Sequence, residues 1–161
     1  MRHLTKWSVL IFSAFFIEQI FTIGNISFNF SFLLIYLFVI DYFFPEVEQK
    51  KIAPSEVLPV LFFVMIGLIE DFFQGIIGPA VISKTITGVL LIVLVRQLFF
   101  HWTEIFKALV IFVFTIIDEI ISSLIMIYFF DFSFNTQLFK AVFLRGLINI
   151  PIGLILSRRK P

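Results

Sequence analysis

Six apolar runs, separated by short polar breaks, occupy almost all of this 161-residue chain. A helix needs about 20 residues to cross a bilayer, so six crossings take roughly 120 and leave only short loops. No soluble domain of useful size fits in the remainder. The charged fraction is 14% and the mean hydropathy is +1.09, whereas soluble domains carry about 25% charged residues. The expected fold is therefore all-α: one integral membrane domain over residues 1–161, a bundle of six transmembrane helices. Its work must be done within the membrane, in short loops, or through contacts with other chains.

The spans are expected at about 7–23, 28–44, 57–73, 80–100, 105–130 and 136–156. Arg2, His3 and Lys6 resemble the start of a signal peptide. No small-x-small cleavage site follows, and Glu18-Gln19 interrupts the apolar run, so the first span is read as retained. Pro45 and Pro54 bound the one long polar loop, and each is expected to block helix continuation. Gly75 to Pro79 reads as a tight turn, with Pro79 in the first turn of the fourth span. Both termini are placed in the cytoplasm. The cytoplasmic ends then hold Arg2, Lys6, Lys50, Lys51, Arg96, Lys107, Arg158, Arg159 and Lys160, or 9 of the 12 Lys and Arg residues. Trp7, Tyr42 and Trp102 fall near that interface and Tyr128 near the other. No internal repeat of the kind found in inverted-repeat transporters is present.

Phe supplies 25 residues, while Ala is confined to positions 14, 53, 80, 108 and 141. Close helix packing must therefore rest on a few Gly and Ser positions. The densest such pattern is Gly67-Leu68-Ile69-Glu70-Asp71-Phe72-Phe73-Gln74-Gly75-Ile76-Ile77-Gly78. At helical spacing Gly67, Asp71 and Gly75 share one face, so a second backbone can approach closely with a carboxylate between the two glycines. A carboxylate at membrane depth costs roughly 2.5–3.5 kcal/mol on insertion scales, so Asp71 should face protein or trapped water.

Glu18, Glu70, Asp71, Lys84, Asp118, Glu119 and Arg145 also fall within the apolar spans. Lys84 can reach Glu70 or Asp71 across the tight turn, as a structural pair or as part of a transport site. Arg145, Gly146, Asn149 and Gly153 form a stripe suited to a protein-facing surface, or a plain packing stripe with a snorkelling Arg145. Pro151 is expected to kink that span. Arg145 has Asp118, Glu119 and Glu18 as possible partners. Asp118 and Glu119 point about 100° apart, so one is expected to face the bundle and the other a partner. The surplus of intramembrane charge points to a membrane partner or to water-filled cavities.

Catalytic and cofactor constellations are missing from the sequence. Cys is absent, which excludes disulfides and thiolate chemistry. His3 and His101 have no acidic partner at metal-ligand spacing. There is no Gly-rich phosphate loop, HExxH or GxSxG. The expectation is a non-enzymatic chain with no metal or cofactor and no nucleic-acid partner. The basic run Arg158-Arg159-Lys160 is read as a topology determinant that also meets anionic lipid headgroups.

In length, span pattern and the Gly67, Asp71, Gly75, Gly78 motif, the chain resembles MreD, the small multispan protein of the bacterial rod-shape machinery. The resemblance covers nearly the whole chain; the Phe richness and Lys84 depart from the family pattern. It implies residence in the bacterial cytoplasmic membrane. It also implies a scaffold role with the bitopic protein MreC, the RodA polymerase, its penicillin-binding transpeptidase and the MreB filament. Partner contact or charge pairing would involve Glu18, Glu70, Lys84, Asp118, Glu119, Arg145 and Asn149. Two alternatives stand beside it. One is a substrate-binding subunit of an energy-coupling-factor vitamin transporter, a class thought to share the fold. Its usual Ala-x-x-x-Ala docking patch is missing here, since the first span has only Ala14. The other is an ion or proton pathway through Glu70, Asp71, Lys84 and Arg145.

Overall fold

The computed structural model describes residues 2–20, 22–23, 26–49, 57–98, 103–131, 133 and 136–157. Six helices follow one another: α1 (Arg2–Ile20), α2 (Phe30–Gln49), α3 (Val57–Gln74), α4 (Pro79–Leu98), α5 (Glu104–Phe130) and α6 (Thr136–Ser157). Between α1 and α2 the two-residue strands β1 (Thr22–Ile23) and β2 (Ile26–Ser27) pair antiparallel. Lys50, Lys51, Pro54, His101, Trp102, Arg158, Arg159 and Lys160, to which the sequence reading gave loop or interface roles, lie outside the described residues.

The architecture is all-α, and α2 is its centre. From Ser31 to Ile40 every residue but Leu37 is buried, and α2 touches each of the other five helices. A helix apolar on all sides belongs in a core. Around it α3 packs on α4, α4 on α5 and α5 on α6. At one end, Trp7 of α1 meets Phe38 of α2 and Phe62 of α3 edge-on, and those two rings stack with centroids 4.0 Å apart. The Arg96 guanidinium lies 5.0 Å from the centroid of the Phe43 ring and ties α4 to α2.

Glycine sets the closest approaches. A Cβ on Gly88 would lie 2.4 Å from the Phe63 ring, and one on Gly153 would lie 2.7 Å from the Ile111 side chain. The Gly146–Gly153 stripe therefore faces α5 and α2, as a protein-facing surface should.

Four helices, α3 to α6, are long and apolar enough to cross a membrane. The six-span expectation is met for these four only. Among the described residues α1 and α2 carry the apolar stretches Val9–Glu18 and Phe30–Phe43, and Asn29, just ahead of α2, is bonded to Asp118 of α5.

Two boundaries differ from expectation. The first helix ends at Ile20, not at residue 23, because Thr22–Ile23 is taken up by the hairpin. The second runs through Pro45 to Gln49. So near a helix end, Pro removes a single intrahelical hydrogen bond, and the helix survives the loss. Pro79 does open α4. Asp131 closes α5 in the left-handed region (φ 54°), its N–H donating to the carbonyl of Met126.

Candidate functional site: a helix lock and a buried polar centre

Two polar constructions sit in the same half of the bundle. The first is made by the glycine–aspartate motif. A Cβ on Gly67 would lie 2.5 Å from Cα of Val81 and 2.8 Å from the carbonyl oxygen of Ala80, so the bare glycine is what lets the start of α4 rest on α3. One turn on, the fully buried Asp71 reaches that helix start. Its carboxylate accepts from the backbone N–H of Gly78 (2.7 Å), Ala80 (2.8 Å) and Val81 (3.2 Å). Pro79 has no N–H to give, and the N–H of Ile82 already donates to the carbonyl of Gly78 (3.0 Å). Every otherwise unpaired donor at the start of α4 is thereby satisfied by one side chain of another helix. Inside a membrane this matters more than in water, since no solvent can take those donors. The negative charge is held by the amides and the positive end of the helix dipole. Gly75 (φ 72°) and Gly78 (φ 127°) supply the left-handed backbone that the turn requires.

Asp71 therefore belongs to a lock between α3 and α4, and Lys84 is not its partner. Of the two carboxylates within reach of Lys84 across the turn, Glu70 is the one it meets, because Asp71 spends its oxygens on backbone amides.

The second construction gathers polar side chains from every helix. Lys84 of α4 is 1% exposed; its Nζ lies 3.1 Å from Oε2 of Glu70 (α3), donates to Oδ2 of Asp118 (α5), and donates to Oδ1 of Asn29 at 3.3 Å. Arg145 of α6 pairs with Glu119 of α5 at 2.7 Å. Asn29 bridges the two pairs, its Nδ2 donating to Asp118 and to Glu119 at 2.9 Å each. The same Asn29 caps α2 by accepting from the N–H of Phe32 at 2.9 Å. Asn149, fully buried on α6, donates to the carbonyl of Asn29 and to the hydroxyl of Thr115, both at 3.2 Å. Glu18 of α1 lies within electrostatic reach of Glu70, Lys84, Glu119 and Arg145.

Of the residues singled out from sequence, Glu18, Glu70, Lys84, Asp118, Glu119, Arg145 and Asn149 are thus brought to one centre. Gly67, Asp71 and Gly78 form the neighbouring lock, whereas Gly75 lies past the end of α3 in the turn with nothing within 4 Å of its Cβ position, so the close backbone approach expected at both glycines is made at Gly67 alone. One expectation changes: Asp118 and Glu119 each engage a cation of the bundle, the first buried and the second partly exposed. The physical reason is that α2 starts at this level and α4 and α6 flank it, so directions 100° apart on α5 both meet protein. Sequence reasoning missed Asn29 and Thr115. Asn29 was open to discovery as a capping residue ahead of an apolar run; its contacts 89 to 120 residues away were not.

Beyond the polar centre, an apolar groove of about 460 Å³ opens between α1 and α3, lined by residues including Phe12, Phe16, Phe72 and Phe73. Fold and site together define a multi-pass helical membrane protein with its intramembrane charge folded inward. No family model, curated protein or solved structure matches the chain.

Proposed function

We propose that the protein is a non-enzymatic scaffold of the bacterial rod-shape machinery, of the MreD type, seated in the cytoplasmic membrane. Its partner in this reading is an MreC-like bitopic protein, and through it wall-synthesis enzymes of the RodA and penicillin-binding classes and the MreB filament. The observation that carries the reading is the glycine–aspartate lock. The four motif positions on which the resemblance rests, Gly67, Asp71, Gly75 and Gly78, all take part in one structural unit. The inward pairing of charge also supports the reading, since it leaves apolar helix faces as the surface offered to membrane neighbours.

The test is a detergent pull-down of the tagged chain from its native membrane, with mass spectrometry of bound proteins and extracted small molecules. Recovery of an MreC-like protein with wall-synthesis enzymes is the expected result. Recovery of an ATPase pair with a coupling subunit, or of a stoichiometric vitamin, would overturn the scaffold reading in favour of the uptake class.

A further inference from the structure

The apolar groove between α1 and α3 is bounded at both ends by aromatic contacts. At one end Trp7 meets Phe62, with ring centroids 5.6 Å apart. At the other, Phe15 stacks on Phe73 at 5.8 Å. The two contacts are 8 residues apart along α1 and 11 along α3, or about 12–16 Å at 1.5 Å per residue. Half of a hydrocarbon core of about 30 Å is about 15 Å, so the groove is one leaflet deep. Its Trp7 end is the headgroup end, since tryptophan favours that level of the membrane. Ile11 and Phe15, both buried, give the floor, and the mostly exposed Phe12, Phe16 and Phe72 stand at the rims. Trp7 and Phe62 are both packed on Phe38 of α2, so this end is built by the fold and needs no occupant to form it.

Size and lining choose the occupant. An apolar cavity of about 150 Å³ takes the six carbons of benzene. By proportion, about 460 Å³ takes roughly 18 carbons, those of one fatty-acyl chain. A transmembrane helix seats differently. It needs small residues that let backbones approach, or polar side chains that bond across the interface. The groove offers neither, because every residue that lines it is Ile, Leu, Met or Phe. We propose that the groove between α1 and α3 seats one acyl chain of a phospholipid, held along the helices in the leaflet at the Trp7 end. A chain held there touches protein on its floor and both walls. It exchanges more slowly than the surrounding lipid, because leaving gives up those dispersion contacts together. The inference rests on the groove alone and stands whichever proteins the chain binds.

The experiment is native mass spectrometry of the full chain, extracted from its membrane and washed by detergent exchange. The wild-type protein is expected to keep one phospholipid. Met65→Trp fills the groove from a half-exposed lining position and should lose that lipid; Leu68→Trp carries the same test if Met65→Trp does not fold. Ile86→Trp, at an equally exposed position on α4 outside the groove lining, should keep it. Photo-crosslinking in the native membrane then reads the occupant: with benzoylphenylalanine in place of Phe12, the expected product is a lipid adduct. A wild-type protein that keeps no lipid overturns the proposal, as does lipid retained equally by the groove-filling variants. So does capture of a polypeptide at Phe12, which would give the groove to a partner's transmembrane helix.

Discussion

Replacing Asp71 by Ala removes the acceptor of three backbone donors at the start of α4. An exposed N-cap is worth about 1 kcal/mol. This one is different, because Asp71 and Ala80 are both fully buried, with the Gly78 and Val81 amides partly so. Hydrogen bonds to a charged acceptor contribute about 1.5–3 kcal/mol each, and a buried donor left unpaired costs about 1–3 kcal/mol. The bonds at 2.7 and 2.8 Å carry most of the effect, and the 3.2 Å bond less. Part of the loss is offset because the variant no longer buries a carboxylate that lacks a cation. The expected loss is about 3 kcal/mol, roughly a 150-fold shift toward the undocked α3–α4 hairpin. Asp71→Asn should lose less, since one oxygen still accepts while its NH₂ group faces donors. The assay is unfolding by sodium dodecyl sulfate in mixed micelles, followed by circular dichroism. Amide exchange provides a local readout, and the Ala80 and Val81 N–H groups should exchange faster in the variant. A loss below about 1 kcal/mol, the level of an exposed cap, with no change in exchange at Ala80 and Val81, would refute the lock.

Other substitutions separate roles that one structure combines. Gly67→Ala should cost about 1–3 kcal/mol, because the new Cβ meets the backbone of Val81 and Ala80 rather than a movable side chain; the same unfolding assay reads it. At Asn29, Ala and Asp discriminate between a cap and a bridge. Asp caps a helix about as well as Asn, but it would add negative charge beside Asp118 and Glu119. Asn29→Asp should therefore unfold at lower detergent than Asn29→Ala, and the opposite order would make Asn29 a cap alone. Lys107→Ala should change stability by less than about 1 kcal/mol, since its pair with Glu104 is at the surface of α5; thermal melting in micelles is enough to check it.

Local sequence rules reached as far as local causes did. Pro79 at the first position of α4, the Gly75 turn and the extents of α3, α5 and α6 follow from capping and turn chemistry, and the helices stop within a residue or two of where those rules put them. Pro45 broke the rule because its position within the helix, not its identity, decides the cost. Asp71 was legible as a carboxylate flanked by small residues, but its acceptor role depends on how far α4 slides along α3. That register is set by Gly67 against Val81, a contact between helices. The pairing of Arg145 with Glu119 rather than Asp118 was illegible for the same reason: adjacent residues on α5 differ by rotation, and only packing against α4 and α6 decides which cation each meets. Glu18 shows the limit most clearly. Nothing in its neighbourhood along the chain tells that its Oε2 ends sealed from solvent with no donor.

The account stands on intramembrane charge being matched within the bundle, and the Lys84–Asp118 pair is where that is measured most directly. Lys84→Met leaves Asp118 and Glu70 without their cation and should cost about 3–5 kcal/mol. Asp118→Leu removes the carboxylate that Lys84 shares with Asn29. In a double-mutant cycle read by detergent unfolding, the account predicts a coupling of at least about 2 kcal/mol, with the double variant more stable than Lys84→Met alone. Effects that add within about 0.5 kcal/mol would contradict it, and would place these charges where each one finds water or another chain instead.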